Sequence, residues 1–164
     1  MHSSAQLTTL SLPTASLPER PLTRVVFDRR LRTPVQARLL STLAAGPVII
    51  VTTAEGAGTA ARRGLEECGA RIEVAGSSFR SALEQLALRQ IGSLLLEGGA
   101  AIHLAAWDEQ LVDVVRLYVT PNVLGPDAVP FLAGRRFATS ELFDRRVEPL
   151  GPDVLIEGHV HRLD

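Results

Sequence analysis

The sequence predicts a mixed α/β domain, and two observations indicate this fold class. Short β-branched runs alternate along the chain with segments whose apolar residues have helical spacing. The length, 164 residues, suits one domain and is short for two. Because a helix between two strands returns the chain for parallel pairing, the alternation predicts a sheet that is in part parallel.

Six short apolar runs are the predicted strands, at residues 24–28, 48–52, 71–74, 93–97, 114–119 and 154–158. Helices are predicted at about 35–45, 59–68, 80–91 and 100–107. The third of them has one apolar face, formed by Leu83, Leu86, Ala87 and Ile91. No long helix precedes the last two strands, and residues 121–150 are rich in Gly, Pro and Arg, so we expect antiparallel strands there.

The N-terminal segment differs in composition from the rest of the chain. Residues 1–23 are rich in Ser, Thr and Pro and carry few groups that a core would bury. We therefore expect a flexible leader over residues 1–23 and the folded domain over residues 24–164.

The composition excludes several kinds of chemistry. All seventeen basic residues are arginine, which excludes a Schiff-base lysine and a phosphate-loop lysine. The single cysteine, Cys68, allows no intramolecular disulfide, so a cytoplasmic location is expected. The net charge of −1 gives no case for nucleic acid as a partner, and no apolar run has the roughly 18 residues of a membrane span.

One glycine-rich segment lies after the second predicted strand. Gly56, Gly58 and Ala61 have the spacing of a dinucleotide-binding fingerprint, with Glu73 as the candidate ribose ligand. If the chain were an unrelated nucleotide-binding α/β module, this loop would be its nucleotide-binding site. However, the first glycine is the fourth residue after the predicted strand end at Thr52, and this spacing favours a plain flexible loop.

A second glycine-rich segment follows the fourth predicted strand, where Glu97, Gly98 and Gly99 precede an apolar helix. Adjacent glycines admit a ligand against bare backbone, and the N–H groups of the helix N-terminus attract anions. The segment predicts a phosphate seat, with Glu97 placed to bind a polar substrate or relay a proton. In the alternative interpretation, the glycines form only a tight turn and Glu97 caps the helix.

Two smaller candidates lie near these segments. Arg29, Arg30 and Arg32 follow the first predicted strand and either bind a phosphate, such as the 2′-phosphate of NADPH, or form a solvated basic loop. His103 lies one turn into the helix after the glycines, where it either reaches a cofactor or packs beside Trp107.

Near the C-terminus, Glu157, His159 and His161 alternate, which on a strand places them on one face. Such a face is sometimes a metal site, but at a chain terminus an exposed polar face is the favoured interpretation. We predict no metal site, and we expect Cys68 to be inert packing.

Four segments of the chain are informative when they are taken in order: RVVFDRRLRTP (24–34), VIIVTT (48–53), IGSLLLEGGAAIHLAAWDEQLVDVVRLYVTPNVLG (91–125) and LGPDVLIEGHV (150–160). Together they resemble the reductase domain of bacterial riboflavin-biosynthesis deaminase-reductases. The resemblance implies a dihydrofolate-reductase-like fold, in which helices flank a mixed, mostly parallel sheet. It also implies NADPH-dependent reduction of 5-amino-6-(5-phosphoribosylamino)uracil to the ribitylamino product.

The resemblance also implies roles for individual residues. Thr52 or Thr53 would touch the cofactor, and Glu97 would contact the pyrimidine substrate as the catalytic residue. The NADPH phosphates would be lined by Gly98, Gly99, Ala100, Ala101, Ile102 and His103.

The chain departs from the family pattern at its N-terminus, where the family has two more strands, a helix and a substrate-side lysine. Leu7 and Thr8 keep part of an L-T-x-R pattern, which implies that Leu7 binds substrate, but Leu10 replaces the arginine.

An N-terminally truncated sheet has unpaired edges, so we expect a homo-oligomer or a partner chain that completes it. The alternative function is a truncated, catalytically impaired remnant that binds cofactor or oligomerises. Deamination is excluded, because its P-C-x-x-C zinc motif needs two cysteines.

Overall fold

The computed structural model describes residues 21–162, which form two compact units with a boundary between Glu73 and Val74. Leu7 and most of the predicted leader lie outside the described residues. The strands and helices that are described confirm the mixed α/β class.

The first unit contains a three-stranded sheet in the order β1-β2-β3. Its elements are β1 (Arg24–Phe27), α1 (Arg38–Ser41), a 3-10 turn (Leu43–Ala45), β2 (Val48–Thr52), α2 (Ala54–Ala57), α3 (Ala61–Glu67) and β3 (Arg71–Val74). β1 and β2 are parallel, with Arg24 opposite Val48. These strands confirm three of the predicted runs to within one residue.

The core of this unit surrounds β2, in which every residue is buried. This explains why its sequence, VIIVT, is a continuous apolar run without alternation. The buried residues of the core are Leu31, Leu40, Val48, Ile50, Leu65, Ala70 and Ile72.

The second unit contains two helices and an antiparallel sheet in the order β4-β6-β5. Its elements are α4 (Phe79–Leu88), α5 (Ala100–Asp108), β4 (Val114–Val119), a 3-10 turn (Thr139–Glu141), β5 (Phe143–Leu150) and β6 (Asp153–His159). The antiparallel strands expected near the C-terminus are confirmed. The sequence analysis missed β5.

Helix α4 begins where two side chains satisfy its free amides. Ser78 accepts a hydrogen bond from the Ser81 amide, and the Glu109 carboxylate accepts from the Phe79 and Arg80 amides at 2.8 and 2.7 Å. The predicted apolar face is partly wrong, because Ala87 is exposed and the buried residues are Phe79, Ala82 and Leu86. The buried face of α4 is therefore rotated from the predicted one, because Phe79, the first residue of the helix, is buried.

The strand predicted at residues 93–97 is wrong. Residues 91–99 are outside any helix or strand, and Leu95 is 74% exposed. A strand is defined by a neighbour that pairs with it, and no strand in the described part of the chain does so here. The apolar residues favour a strand, but β-propensity in one segment does not provide a neighbouring strand for it to pair with.

None of the helices between residues 21 and 162 is long and apolar enough to cross a membrane.

Candidate functional site

The turn before α5 is the most specific candidate site in the second unit. α5 has Gly99 as its N-cap, and its first internal hydrogen bonds are donated by Ile102 and His103 to the Gly99 carbonyl. The amides of Ala100 and Ala101 therefore precede the helical hydrogen-bond ladder. Free N–H groups at the positive end of a nine-residue helix can receive a phosphate oxygen.

The two glycines of this turn have different surroundings. A Cβ at Gly98 would lie 2.1 Å from Ile102 Cγ2, so a side chain at this position would force the Ile102 side chain to move. A Cβ at Gly99 would meet nothing within 4 Å. The turn is therefore closed on the Gly98 side and open on the Gly99 side, where a ligand has room to approach the backbone.

Glu97 is exposed at the end of the irregular segment that precedes the glycines. Its carboxylate makes no hydrogen bond or ion pair with any residue between 21 and 162, so the interpretation in which it caps α5 is wrong. An exposed carboxylate one residue before the glycines is able to accept hydrogen bonds from a bound polar molecule.

His103 connects α5 to the segment before the turn. Its Nε2 lies 3.3 Å from the Leu96 carbonyl oxygen, and its ring centroid lies 5.4 Å from that of Phe131. Trp107, which the alternative interpretation places beside His103, has Phe137 as a ring partner, at 5.5 Å. Sequence reasoning missed Phe131 and Phe137; the only signal was two phenylalanines within a Gly- and Pro-rich segment.

In the first unit, Thr52 and Thr53 lie at the carboxyl end of β2. The Thr53 hydroxyl donates to the Arg29 carbonyl at 2.8 Å and accepts from the Gly56 amide at 3.3 Å, so it caps α2. Thr52 is 2% exposed, and its hydroxyl has no hydrogen-bond partner among the residues described. Of the two, Thr52 has the uncommitted hydroxyl.

The segment from Gly56 to Ala61 forms neither a dinucleotide fingerprint nor the predicted flexible loop. Gly56 lies inside α2, where a Cβ would be 2.3 Å from the Thr52 hydroxyl oxygen. The glycine serves this close packing and leaves no room for a pyrophosphate. Glu73, the candidate ribose ligand, is buried within β3.

The basic residues after β1 surround a structured acidic residue. The Asp28 carboxylate accepts hydrogen bonds from the Thr33 amide and hydroxyl, both at 2.7 Å, and from the Arg30 amide at 3.3 Å. Partial burial acts to raise the pKa of Asp28, but these hydrogen bonds and one from the Arg32 backbone together lower it below its ordinary value. Arg29, Arg30 and Arg32 themselves are exposed.

At the C-terminus, Glu157 and His159 lie on β6 and His161 follows it. Glu157 pairs with Arg116 on the neighbouring strand β4. Within residues 21–162, no group of three or more His, Cys, Asp or Glu residues is placed to hold a metal ion.

A small cavity in the second unit lies near the other end of α5. It is lined by Trp107, Gln110, Val112, Val160 and His161. The residues from Glu97 to His103 are not among those that line it, so it is separate from the glycine turn.

Comparison with known proteins identifies one family. The family model described as the RibD C-terminal domain matches residues 3–156. Over 114 residues the chain is 35% identical to a 2,5-diamino-6-ribosylamino-4(3H)-pyrimidinone 5′-phosphate reductase of Aquifex aeolicus, covering 68% of this chain and 50% of that protein. It is 34% identical over 126 residues to a riboflavin biosynthesis protein RibD of Chlamydia muridarum, covering 74% and 33%.

Two solved structures of riboflavin-biosynthesis proteins have the same fold as this chain. One is a diaminohydroxyphosphoribosylaminopyrimidine deaminase/5-amino-6-(5-phosphoribosylamino)uracil reductase of Thermotoga maritima, with a TM-score of 0.64 and 24% identity over 88% of this chain and 39% of that one. The other is RibD of Acinetobacter baumannii, with a TM-score of 0.62 and 24% identity over 83% and 37%. The chain spans half or less of the length of these relatives.

Proposed function

Because the chain belongs to the RibD C-terminal domain family, we propose that it reduces 5-amino-6-(5-phosphoribosylamino)uracil to the ribitylamino product of riboflavin biosynthesis. NADPH is the proposed cofactor. The observation that carries the proposal is the glycine turn, which is open at Gly99 and followed by the free amides of α5. The cytoplasm is the proposed location, as expected for a biosynthetic enzyme with a single cysteine.

The residues of the turn suit the phosphates of a dinucleotide. Gly98 and Gly99 bring bare backbone to the surface, and the Ala100 and Ala101 amides point along the helix axis toward the turn. Ile102 packs against Gly98 and fixes the start of the helix, and His103 follows one turn later. Thr52 and Thr53 remain cofactor contacts proposed from the family resemblance alone; in the first unit the Thr53 hydroxyl caps α2 and the Thr52 hydroxyl is buried.

Reduction of the ribosyl group to a ribityl chain adds one hydride and one proton. NADPH supplies the hydride when it is bound. Glu97 is the proposed catalytic residue, since its exposed carboxylate is free to hold the substrate by hydrogen bonds or to pass on the proton. Leu7 remains a predicted substrate contact outside the described residues.

Substrate-dependent oxidation of NADPH by the purified chain tests this function. We expect Glu97→Gln to lower kcat by about a hundredfold or more while leaving NADPH affinity unchanged, because the carboxylate acts on the substrate. Glu84→Gln, an exposed change on α4, is the matched control and keeps wild-type turnover. Turnover by Glu97→Gln at the wild-type rate would remove the proposed role of this residue.

A second candidate function is a cofactor-binding or oligomerisation module that does no chemistry alone. The observation that favours it is the apolar segment 93–97, which pairs with no strand in the part of the chain the structure describes. Under this candidate the chain binds NADPH without substrate-dependent turnover. Under both candidates we propose that a second copy or a partner chain adds to the open edge of a sheet.

A further inference from the structure

The loop between β4 and the 3-10 turn, residues 120–138, is held against one face of α5. Phe131 contacts the His103 ring, and Phe137 contacts the Trp107 ring. Phe131 and Phe137 also contact each other edge to face, with centroids 5.5 Å apart. Because His103 and Trp107 are four residues apart, they lie on the same side of the helix. We call these four residues the ring cluster.

Further contacts fix the same loop. Arg135 pairs with Asp108 at the end of α5, at 3.0 Å, and Leu132 is buried. The loop is otherwise mostly exposed. Its position therefore depends on α5, which it contacts through the ring cluster and through the Arg135–Asp108 pair.

His103 also closes the glycine turn. A carbonyl oxygen only accepts hydrogen bonds, so in the 3.3 Å hydrogen bond with Leu96 the Nε2 of His103 is the donor. Leu96 lies two residues before Gly98, and His103 lies four residues after Gly99. One side chain thus joins the chain before the turn to the helix after it.

Such a link matters most at two adjacent glycines, which have more conformational freedom than any other pair. Nothing lies within 4 Å of the direction in which a Gly99 side chain would point, so packing at that position does not restrict the turn. Ligand affinity falls when a binding segment must be ordered during binding. A hydrogen bond that orders the turn beforehand therefore raises affinity without touching the ligand.

We propose that His103 and Phe131 are positioning residues of the glycine turn. Phe131 holds the imidazole of His103, and the imidazole holds the Leu96 carbonyl, so the amides from Gly99 to Ala101 are set for a phosphate. The ligand in this inference rests on the proposed function. In this inference, the His103 side chain acts on the ligand indirectly, through Leu96. Loop 120–138 supports the nucleotide-binding turn.

Four variants test the inference by NADPH titration, followed by fluorescence. His103→Leu removes the donor, and Phe131→Ala removes the ring that holds it; we expect each to raise the Kd about threefold to tenfold, the loss of about one hydrogen bond. His103→Gln keeps a side-chain N–H and should stay near the wild-type Kd. Val129→Ala, an exposed change in the same loop, is the matched control and should have no effect.

Hydrogen exchange of the free protein gives a second measurement that needs no ligand. Amides 97–101 should exchange faster in His103→Leu and Phe131→Ala than in His103→Gln and Val129→Ala. The double variant His103→Leu/Phe131→Ala should be no worse than the worse single variant, because Phe131 acts through His103.

The outcomes separate this inference from the proposed function. If the wild-type chain binds no NADPH, the proposed function fails, and hydrogen exchange alone decides the inference. Unchanged exchange at 97–101 in His103→Leu and Phe131→Ala would overturn it. It would also be overturned if the wild type binds NADPH and His103→Gln binds as weakly as His103→Leu, since the imidazole would then contact the ligand directly.

Discussion

Asp28 is the residue at which the chain turns after β1, and its hydrogen bonds make it a local anchor. The carboxylate holds the backbone of the following basic segment through Thr33 and Arg30. We expect Asp28→Asn to lower the free energy of unfolding by about 1 kcal/mol, less than for a buried charged hydrogen bond because the site is partly exposed. Urea unfolding near neutral pH measures the change.

The pH dependence of this effect has a definite sign. The pKa of Asp28 is lower in the folded chain than in the unfolded one, so its stabilisation is full above the unfolded pKa of about 4 and is lost as the pH falls through the folded pKa. The difference between wild type and Asp28→Asn should therefore shrink below about pH 4. Asp127→Asn, at an exposed turn, serves as the control. A difference that grows in acid would contradict this account.

At the scale of residues, the sequence predicts roles that depend on neighbours in the chain. It does not predict roles that depend on contacts with residues distant in the chain. Gly98 and Gly99 were predictable because a glycine pair before an apolar helix needs only its neighbours to be interpreted. Phe131 and Phe137 were not, since their contacts with His103 and Trp107 join residues that are about 30 apart in the chain. The helical character of Gly56 was missed because Thr53 caps α2 immediately after the strand.

At the scale of elements, the contrast between the two edges of the antiparallel sheet is informative. β5 has two arginines, a proline, and a bulge between Phe143 and Arg146, all of which discourage pairing with another chain. β4, at the other edge, has one charged residue, and its Tyr118 is 64% exposed. Among residues 21–162, the edge formed by β4 lacks the protection that β5 has.

We predict that the chain self-associates through β4. Tyr118→Lys should shift the mass measured by light scattering at micromolar concentration toward the monomer, because a lysine on an edge strand opposes pairing. Val147→Lys is the matched control, since Val147 is 62% exposed on the opposite edge strand of the same sheet. A monomeric wild type, or equal effects of both substitutions, would contradict the prediction.

The same elements show where sequence patterns suffice. β2 and β4 are apolar runs that pair with described neighbours, and both were predictable. Residues 93–97 have a similar pattern without a described partner, and β5 has a charged pattern with one. Pairing is a property of two segments, so a pattern in one segment does not determine it.

At the scale of the whole molecule, the fold class and the family were both predictable from the composition and the order of the motifs. The mixed α/β class followed from the alternation of strands and helices, and the family match covers residues 3–156. The arrangement of the strands into one sheet with a parallel pair and one antiparallel sheet did not follow, because β5 was missed and 93–97 is unpaired. The central claim that joins these scales is that the glycine turn before α5 binds NADPH.

Titration of the wild-type chain with NADPH, alongside Gly99→Trp and Gly92→Trp, tests that claim most directly. A Cβ at either glycine meets nothing within 4 Å, so neither position is closed to a side chain, but only Gly99 adjoins the free amides of α5. We predict saturable binding by the wild type and by Gly92→Trp, and at least about a tenfold loss of affinity in Gly99→Trp, whose indole would occupy the phosphate position. Equal affinity of all three chains, or no binding by the wild type, would contradict the account.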